Sequence, residues 1–215
     1  MQPLGVAILI GLAYLIGSIP TGVIVARLAG ARDPRTMGSG RTGGTNALRA
    51  MGPRLAAIVV IGDVLKGAVP VLIARWASGG DPALEAACGV AAVIGSARSV
   101  FLGFHGGRGV ATGVGTMLVI QPLAVILAAP VFVGVILITR YVSLGSLLGS
   151  AAMIPAVALV FLVINGTVPP AYLIYAVVGV AVVWLAHADN IDRLLHGTER
   201  KFDLGLLSGR TGPGA

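Results

Sequence analysis

The sequence predicts an all-α, polytopic integral membrane bundle of about seven membrane helices, with its N-terminus outside and its C-terminus cytoplasmic. Three observations carry that prediction. Hydrophobic residues fill 56% of the 215 positions and charged residues only 11%, with a mean hydropathy of +0.96. A soluble domain carries about 25% charged residues, because a water-facing surface must be covered. Apolar runs of bilayer length recur along the chain, and basic residues gather in alternate connections between them.

Residues 4–28, 55–76 and 142–164 each meet the roughly 20 apolar residues that a helix needs to cross a hydrocarbon core. Residues 171–186 form a shorter segment, and residues 82–104 a weaker one interrupted late by Arg98 and Ser99. Residues 109–139 are too many for one comfortable span. Proline disfavours helical geometry in the residue before it, so Gln121-Pro122 divides this run into two short helices, 109–120 and 122–139. The 30–54 connection holds Arg32, Arg35, Arg41, Arg49 and Arg54 against Asp33, whereas residues 165–170 carry no charge, and the segment from 187 onward is basic again. The positive-inside rule places the basic connections in the cytoplasm. The two short helices must then enter and return for the ends to fall on opposite sides. Residues 1–203 read as one membrane domain and residues 204–215 as a flexible tail.

The net charge of +7 sits mostly in short connections, which suits membrane orientation and phosphate-bearing ligands better than nucleic acid. The lone Cys88 has no partner for an internal disulfide. The first 30 residues lack the basic start and cleavage site of a secretory signal and read as a retained span.

Three polar clusters fall on one predicted side. "GSGRTGGTN" (38–46) presents many backbone N–H groups without bulky side chains, and Gly38, Gly40, Gly43 and Gly44 permit the conformations in which they converge. Ser39, Thr45 and Asn46 add hydrogen-bonding side chains, and Arg49 a guanidinium fork suited to phosphate. "FHGGRGVAT" (104–112) repeats the theme with His105, Gly106, Gly107, Arg108, Gly109 and Thr112 leading into a helix N-terminus, which favours an anion. Neither is a Walker A loop, and each alone is equally a glycine-rich helix connector. "HADNIDRLLHGTERKF" (187–202) places His187 and Asn190 on one helical face and an apolar stripe of Ile191, Leu194 and Leu195 on the membrane surface. Asp192 lies five positions after His187, which at about 100° per residue points it away from that face. Within the spans, Asp63 and Lys66 are a turn apart and either neutralise each other or mark a pathway.

In this order, the clusters resemble the bacterial membrane acyltransferase family called PlsY, the acyl-phosphate:glycerol-3-phosphate acyltransferases. The family's first motif, roughly GSGNxGATNxxR, is similar to residues 38–49, with Arg41 in place of its asparagine. "GSIPTG" (17–22), "DVLKG" (63–67) and "RYVSLGS" (140–146) also resemble family segments, the last supplying Ser143. Every fixed position of H-x-x-N-I-x-R-L-L-x-G-x-E is met from His187 to Glu199. The second motif departs most: Ser96 and Ser99 replace a histidine and a proline, and His105 and Arg108 replace two lysines.

The resemblance implies transfer of a fatty acyl group from acyl phosphate to the 1-hydroxyl of glycerol 3-phosphate at the cytoplasmic face of the bacterial inner membrane. The products are lysophosphatidic acid and phosphate, with no cofactor, metal, nucleic acid or obligate protein partner. Membrane phospholipid is its surroundings. Ser39, Arg49, His187 and Asn190 take catalytic roles under this reading. Gly38, Gly40, Thr45, Asn46, His105, Gly106, Gly107, Arg108, Gly109, Thr112 and Ser143 bind substrate phosphate. A transporter for a small phosphorylated anion, or an inactive lipid-binding homologue, would show some of the same features.

Overall fold

Breaks in otherwise apolar helices organise this molecule, and side chains from elsewhere satisfy the break between its first two helices. In the computed structural model, which describes residues 1–203 and Gly205, nine α-helices and two short 3-10 turns make up the regular structure, and the described residues contain no strand. They are α1 (Pro3–Gly17), α2 (Thr21–Leu28), α3 (Gly44–Ser78), α4 (Pro82–Ala97), α5 (Val110–Ile120), α6 (Pro122–Thr139), α7 (Val142–Asn165), α8 (Pro170–Ala186) and α9 (Ala188–Leu195). Except for Gly205, the expected tail, 204–215, lies outside the described residues.

The apolar run 4–28 is not one helix. It bends by 46° between α1 and α2, because Pro20 has no N–H and restricts Ile19. Backbone groups freed in a bilayer must find partners. Lys66 Nζ donates to the Ile19 carbonyl at 3.1 Å, and Ser99 Oγ donates to the Ser18 carbonyl at 2.6 Å. Lys66 also pairs with Asp63 at 2.8 Å, and Asp63 accepts a hydrogen bond from the Thr21 hydroxyl. The intramembrane pair therefore neutralises itself and pins α3 to the α1–α2 break. Ser99 closes the same break from the α4 side.

The 30–54 connection is also more helical than its polarity suggested: residues 44–51 are the first part of α3. Gly52, at φ 77 and ψ 177, interrupts the helix just before Pro53. At the other end, Gly79 closes α3 in the left-handed conformation, and Asp81 caps α4 by accepting from the Ala83 N–H at 2.9 Å. Beside that turn, Arg75 forms a two-bond pair with the buried Glu85 at 2.7 and 2.9 Å, and the Tyr172 hydroxyl donates to the same carboxylate at 3.0 Å. This tie joins α3, α4 and α8 at the end of the bundle away from the glycine loops.

All seven expected segments are present. α3, α4, α6 and α7 are each long and apolar enough to cross a bilayer, as are the bent pairs α1–α2 and α8–α9 if each is one span. Of the two helices expected to be short, only α5 is. Its 11 residues rise about 16 Å, about half of a 30 Å hydrocarbon core. α5 is wedged against α3 through small residues. A Cβ at Gly67 would lie 2.0 Å from the Thr112 carbonyl oxygen, and one at Gly115 1.9 Å from that of Val64. Gly17 against Ala92, and Gly95 against Tyr14, bring α1 and α4 equally close. With little hydrophobic drive between helices in lipid, such close backbone approach supplies the packing energy.

Gly115→Ala is expected to force α5 off α3 and to lower stability by about 1–3 kcal/mol, read as a lower unfolding temperature in detergent. An unchanged unfolding temperature would show that this contact is not as tight as the backbone positions require.

Candidate active site

The two glycine loops touch. A Cβ on Gly107 would lie 3.6 Å from Thr42 Oγ1 and 3.8 Å from the Gly43 nitrogen, so the starts of α3 and α5 meet at one place. Gly43 caps α3, and Gly43, Gly44 and Thr45 all face a common cavity. Gly109, at φ 78, turns the chain into α5, whose first residues Val110, Ala111 and Thr112 face the same space. The first N–H groups of each helix have no intrahelical partner and carry the positive end of the helix dipole. Two such ends therefore aim at one volume.

Asn46 holds the first loop in shape. Its Nδ2 donates to Ser39 Oγ at 3.1 Å and to the Arg41 carbonyl at 2.9 Å, while its Oδ1 accepts from Arg49 Nη1 at 3.3 Å. Gly38 is required for this: a Cβ there would lie 2.5 Å from Asn46 Oδ1 and 2.7 Å from Arg49 Nη1. Arg41 and Arg49 both line the cavity, and neither forms an ion pair with any described residue.

Arg108 is differently placed. Its guanidinium makes two bonds to Asp189, at 2.8 and 2.9 Å, and a third to the Ala186 carbonyl at 2.6 Å. Asp189 also pairs with Arg193 at 3.1 Å. Burial opposes ionisation of Asp189, but the guanidinium groups of Arg108 and Arg193 outweigh it and hold the carboxyl well below the usual range. Arg108 thus clamps the start of α9 to the second glycine loop.

The same loop has further partners within the protein. The Gly107 N–H donates to the Ser96 carbonyl at 2.8 Å and the Gly106 N–H to that of Ala97 at 3.2 Å, so both amides dock the loop on the end of α4, while Gly107 also lines the cavity. His105 is exposed, outside the cavity lining, with Nδ1 bonded to the Gly103 carbonyl at 2.7 Å. Thr112 faces the cavity, but its buried hydroxyl donates to Ser96 Oγ at 2.9 Å. Gly38 and Gly40, at φ 53 and 69, shape the first loop from behind the cavity surface.

The third cluster arrives through a 64° bend between α8 and α9. His187 sits at the bend, beyond the last residue of α8, and is 2% exposed. Its Nδ1 lies 2.7 Å from the Val183 carbonyl. A carbonyl only accepts, so Nδ1 carries the proton and Nε2 keeps its lone pair. Burial pushes the imidazole down to about 4, with the Val183 bond opposing and Arg108 assisting. Asp192 is well exposed and lies 3.4 Å from His196, away from His187.

Asn190 and Ser143 converge on Glu199, donating to its Oε1 at 2.7 and 2.9 Å, while Arg193 donates to Oε2 at 2.8 Å. Burial opposes its ionisation, but those three donors keep the Glu199 carboxyl below the ordinary glutamate range. The chain after α9 is thereby drawn back across the end of α7. Asn190 Oδ1 is left buried without a hydrogen-bond partner. Such a group costs about 1–3 kcal/mol unless something donates to it, and Asn190 is among the residues that line the cavity.

The cavity has a volume of about 660 Å³. Its polar end holds Ser39, Arg41, Arg49, His187 and Asn190; beyond them it continues between α5, α6, α7 and α8 with a mostly apolar wall. The described residues contain no group of three or more His, Cys, Asp or Glu side chains placed to hold a metal ion. Asp189 was not foreseen as a site residue. Its only sequence signal is an i, i+4 relation to Arg193, whereas its main partner lies 81 residues away.

Because the folded His187 value of about 4 lies below the ordinary 6.5, the unfolded chain binds more protons between them, and stability falls as the pH drops below about 6.5. The imidazole is expected to stay neutral at about pH 5, read from its ring nitrogen shifts in the ligand-free protein; titration near 6.5 would contradict this burial.

Comparison with known proteins agrees with this geometry. The family model described as glycerol-3-phosphate acyltransferase matches residues 7–197. The chain is 44% identical over 195 residues to a glycerol-3-phosphate acyltransferase of Geobacter sulfurreducens, covering 91% of this chain and 96% of that one. It is 46% identical over 190 residues to the enzyme of the same name from Syntrophotalea carbinolica, covering 88% and 94%. The crystal structure of PlsY (YgiH), an integral membrane glycerol 3-phosphate acyltransferase in its glycerol 3-phosphate form, superposes with a TM-score of 0.84 at 36% identity, covering 96% of this chain and all of that one. The lysophosphatidic acid form of PlsY gives 0.81 at 34% identity. A family match over nearly the whole chain, and the shared fold, establish that this chain belongs to the glycerol-3-phosphate acyltransferase family.

Proposed function

We propose that this glycerol-3-phosphate acyltransferase takes its acyl group from acyl phosphate and transfers it to the 1-hydroxyl of glycerol 3-phosphate, at the cytoplasmic face of the bacterial inner membrane. The observation that carries the reading is the form of the cavity: one end offers two helix N-termini and the unpaired Arg41 and Arg49, and the other is apolar. Two phosphate groups suit the first part and an acyl chain the second. The basic connections at the cavity end support a cytoplasmic orientation.

Glycerol 3-phosphate is assigned to the α3 N-terminus and Arg49, and the acyl phosphate to the α5 N-terminus and Arg41. Asn190 Oδ1 and His187 Nε2 are acceptors without partners in the described structure, and both suit the glycerol hydroxyls. The attacking hydroxyl oxygen forms a bond to the acyl carbonyl carbon, and the bond from that carbon to the phosphate oxygen breaks. The hydroxyl proton must go to a base. Cleavage leaves the bonding electron pair on the phosphate oxygen, and that oxygen is the strongest base the step creates. The departing phosphate therefore takes the proton, and His187 orients the hydroxyl. Holding both reactants and neutralising their charge supplies the catalysis, with no covalent enzyme intermediate. Ser39 and Ser143 are left as hydrogen-bonding groups beside the phosphates.

Purified protein supplied with palmitoyl phosphate and glycerol 3-phosphate is expected to release phosphate and form lysophosphatidic acid. Product from palmitoyl-CoA alone would contradict the proposed donor. Arg49→Ala should lower kcat/KM for glycerol 3-phosphate by about tenfold to a hundredfold, the scale of a lost charged hydrogen bond, without unfolding the protein. Arg41→Asn should act chiefly on the KM of the acyl phosphate. Wild-type kinetics in both variants would remove the assignment of these two cations.

A further inference from the structure

Two of the glycines that face this cavity differ from those that pack helices together. At Gly67 and Gly115, a Cβ would strike backbone within 2.0 Å, but at Gly113 the nearest atom is 3.8 Å away and at Gly179 it is 3.7 Å. Both of these line the apolar part of the cavity, Gly113 on α5 and Gly179 on α8. Their missing side chains leave open a bore that ordinary residues would fill.

The far end of the bore closes at a consistent depth on three helices. Along α7 the lining runs from Val142 to Met153, and from His187 at the α8–α9 bend it runs back along α8 to Tyr175. Along α6, which returns antiparallel, it runs from Ile136 to Val125. At a rise of about 1.5 Å per residue, these stretches are about 17, 18 and 17 Å long. The starting levels on α6 and α7 match, because Gly145 packs on Ile136 and Gly149 on Phe132. On the shorter α5 the lining ends at Met117, which is 1% exposed. Behind Met117, Met153 and Tyr175 lies the packed cluster of Val157, Phe161 and Tyr172, which offers no continuation.

Building on the acyl donor reading above, we infer that Met117, Met153 and Tyr175 form an end wall that fixes the length of acyl chain the enzyme uses, with Gly113 and Gly179 keeping the bore open above it. A chain that fits ends against the wall. One that is longer must bend back toward the polar end and displaces its own carbonyl from the attacking hydroxyl. α3 contributes Val60, which lines the cavity yet is exposed on the bundle surface. This gives a lateral route by which a lipid-like donor enters above the wall.

The test is a chain-length profile, kcat/KM for saturated acyl phosphates from decanoyl to eicosanoyl at fixed glycerol 3-phosphate. Gly179→Leu narrows the bore about one turn above Tyr175 and is expected to lower the ratio of long-chain to short-chain activity about tenfold or more, the discrimination one methylene carries in a fitted pocket. Met153→Ala removes part of the wall and should move the optimum to longer chains. In both, the KM for glycerol 3-phosphate should stay near wild type, which a general loss of structure would not allow. A second measurement needs no variant: an acyl phosphate bearing a diazirine at its terminal carbon should label peptides containing Met117, Met153 or Tyr175. Labelling of α3 near Val60 instead, or unchanged profiles in folded variants, would show that the chain leaves sideways and overturn the inference. Failure of wild-type enzyme to use any acyl phosphate would instead remove the donor assignment on which it rests.

Discussion

A polypeptide that interrupts its helices inside a bilayer must satisfy every amide and carbonyl it releases, or expose them to a polar cavity. Both solutions are used here. At the α1–α2 break the freed carbonyls of Ser18 and Ile19 are taken by Ser99 and Lys66, and the site there is closed. At the starts of α3 and α5 the free N–H groups face a cavity, and the site there is open to a ligand. The difference between a structural break and a functional one is whether the protein supplies the partner itself.

Charge follows the same division. Lys66, Arg75 and Arg108 each have an acidic partner within the protein, Asp63, Glu85 and Asp189, and each holds elements together. Arg41 and Arg49 have none among the described residues, which suits the proposed binding of an anion. Arg108 and Asp189 then act through geometry. They fix the start of α9, and with it His187 and Asn190, against the second glycine loop. Glu199 extends this frame by fastening Asn190 and Arg193 to Ser143 on α7. Among the described residues the Asn190 Oδ1 has no donor, which suits the proposed contact with a substrate hydroxyl.

Where a boundary was written in local chemistry, it was legible. Gln121-Pro122 divided the 109–139 run at the position observed. The 4–28 run concealed its break, because Pro20 sits in unbroken hydrophobicity and the polar partners that stabilise the kink come from residues 63, 66 and 99. The glycine loops and helix starts were legible as local features, and residues of the three clusters do line one cavity. The division of labour among the basic residues was hidden, since a sequence does not show that Arg108 meets Asp189. His105 looked like a substituted cation and lies outside the cavity. Ser96 and Ser99 looked like losses from a family motif, whereas Ser96 accepts from Thr112 and Ser99 closes the α1–α2 break.

The central claim is that the N-termini of α3 and α5 form one anion site. Phosphorus-to-nitrogen dipolar recoupling on protein in lipid, with glycerol 3-phosphate and inorganic phosphate bound, reads this without substitution. The amide nitrogens of Gly44 and Ala111 should both dephase against phosphorus, with the guanidinium nitrogens of Arg49 doing so in the same sample. Dephasing confined to other arginines, with both helix starts silent, would contradict the account.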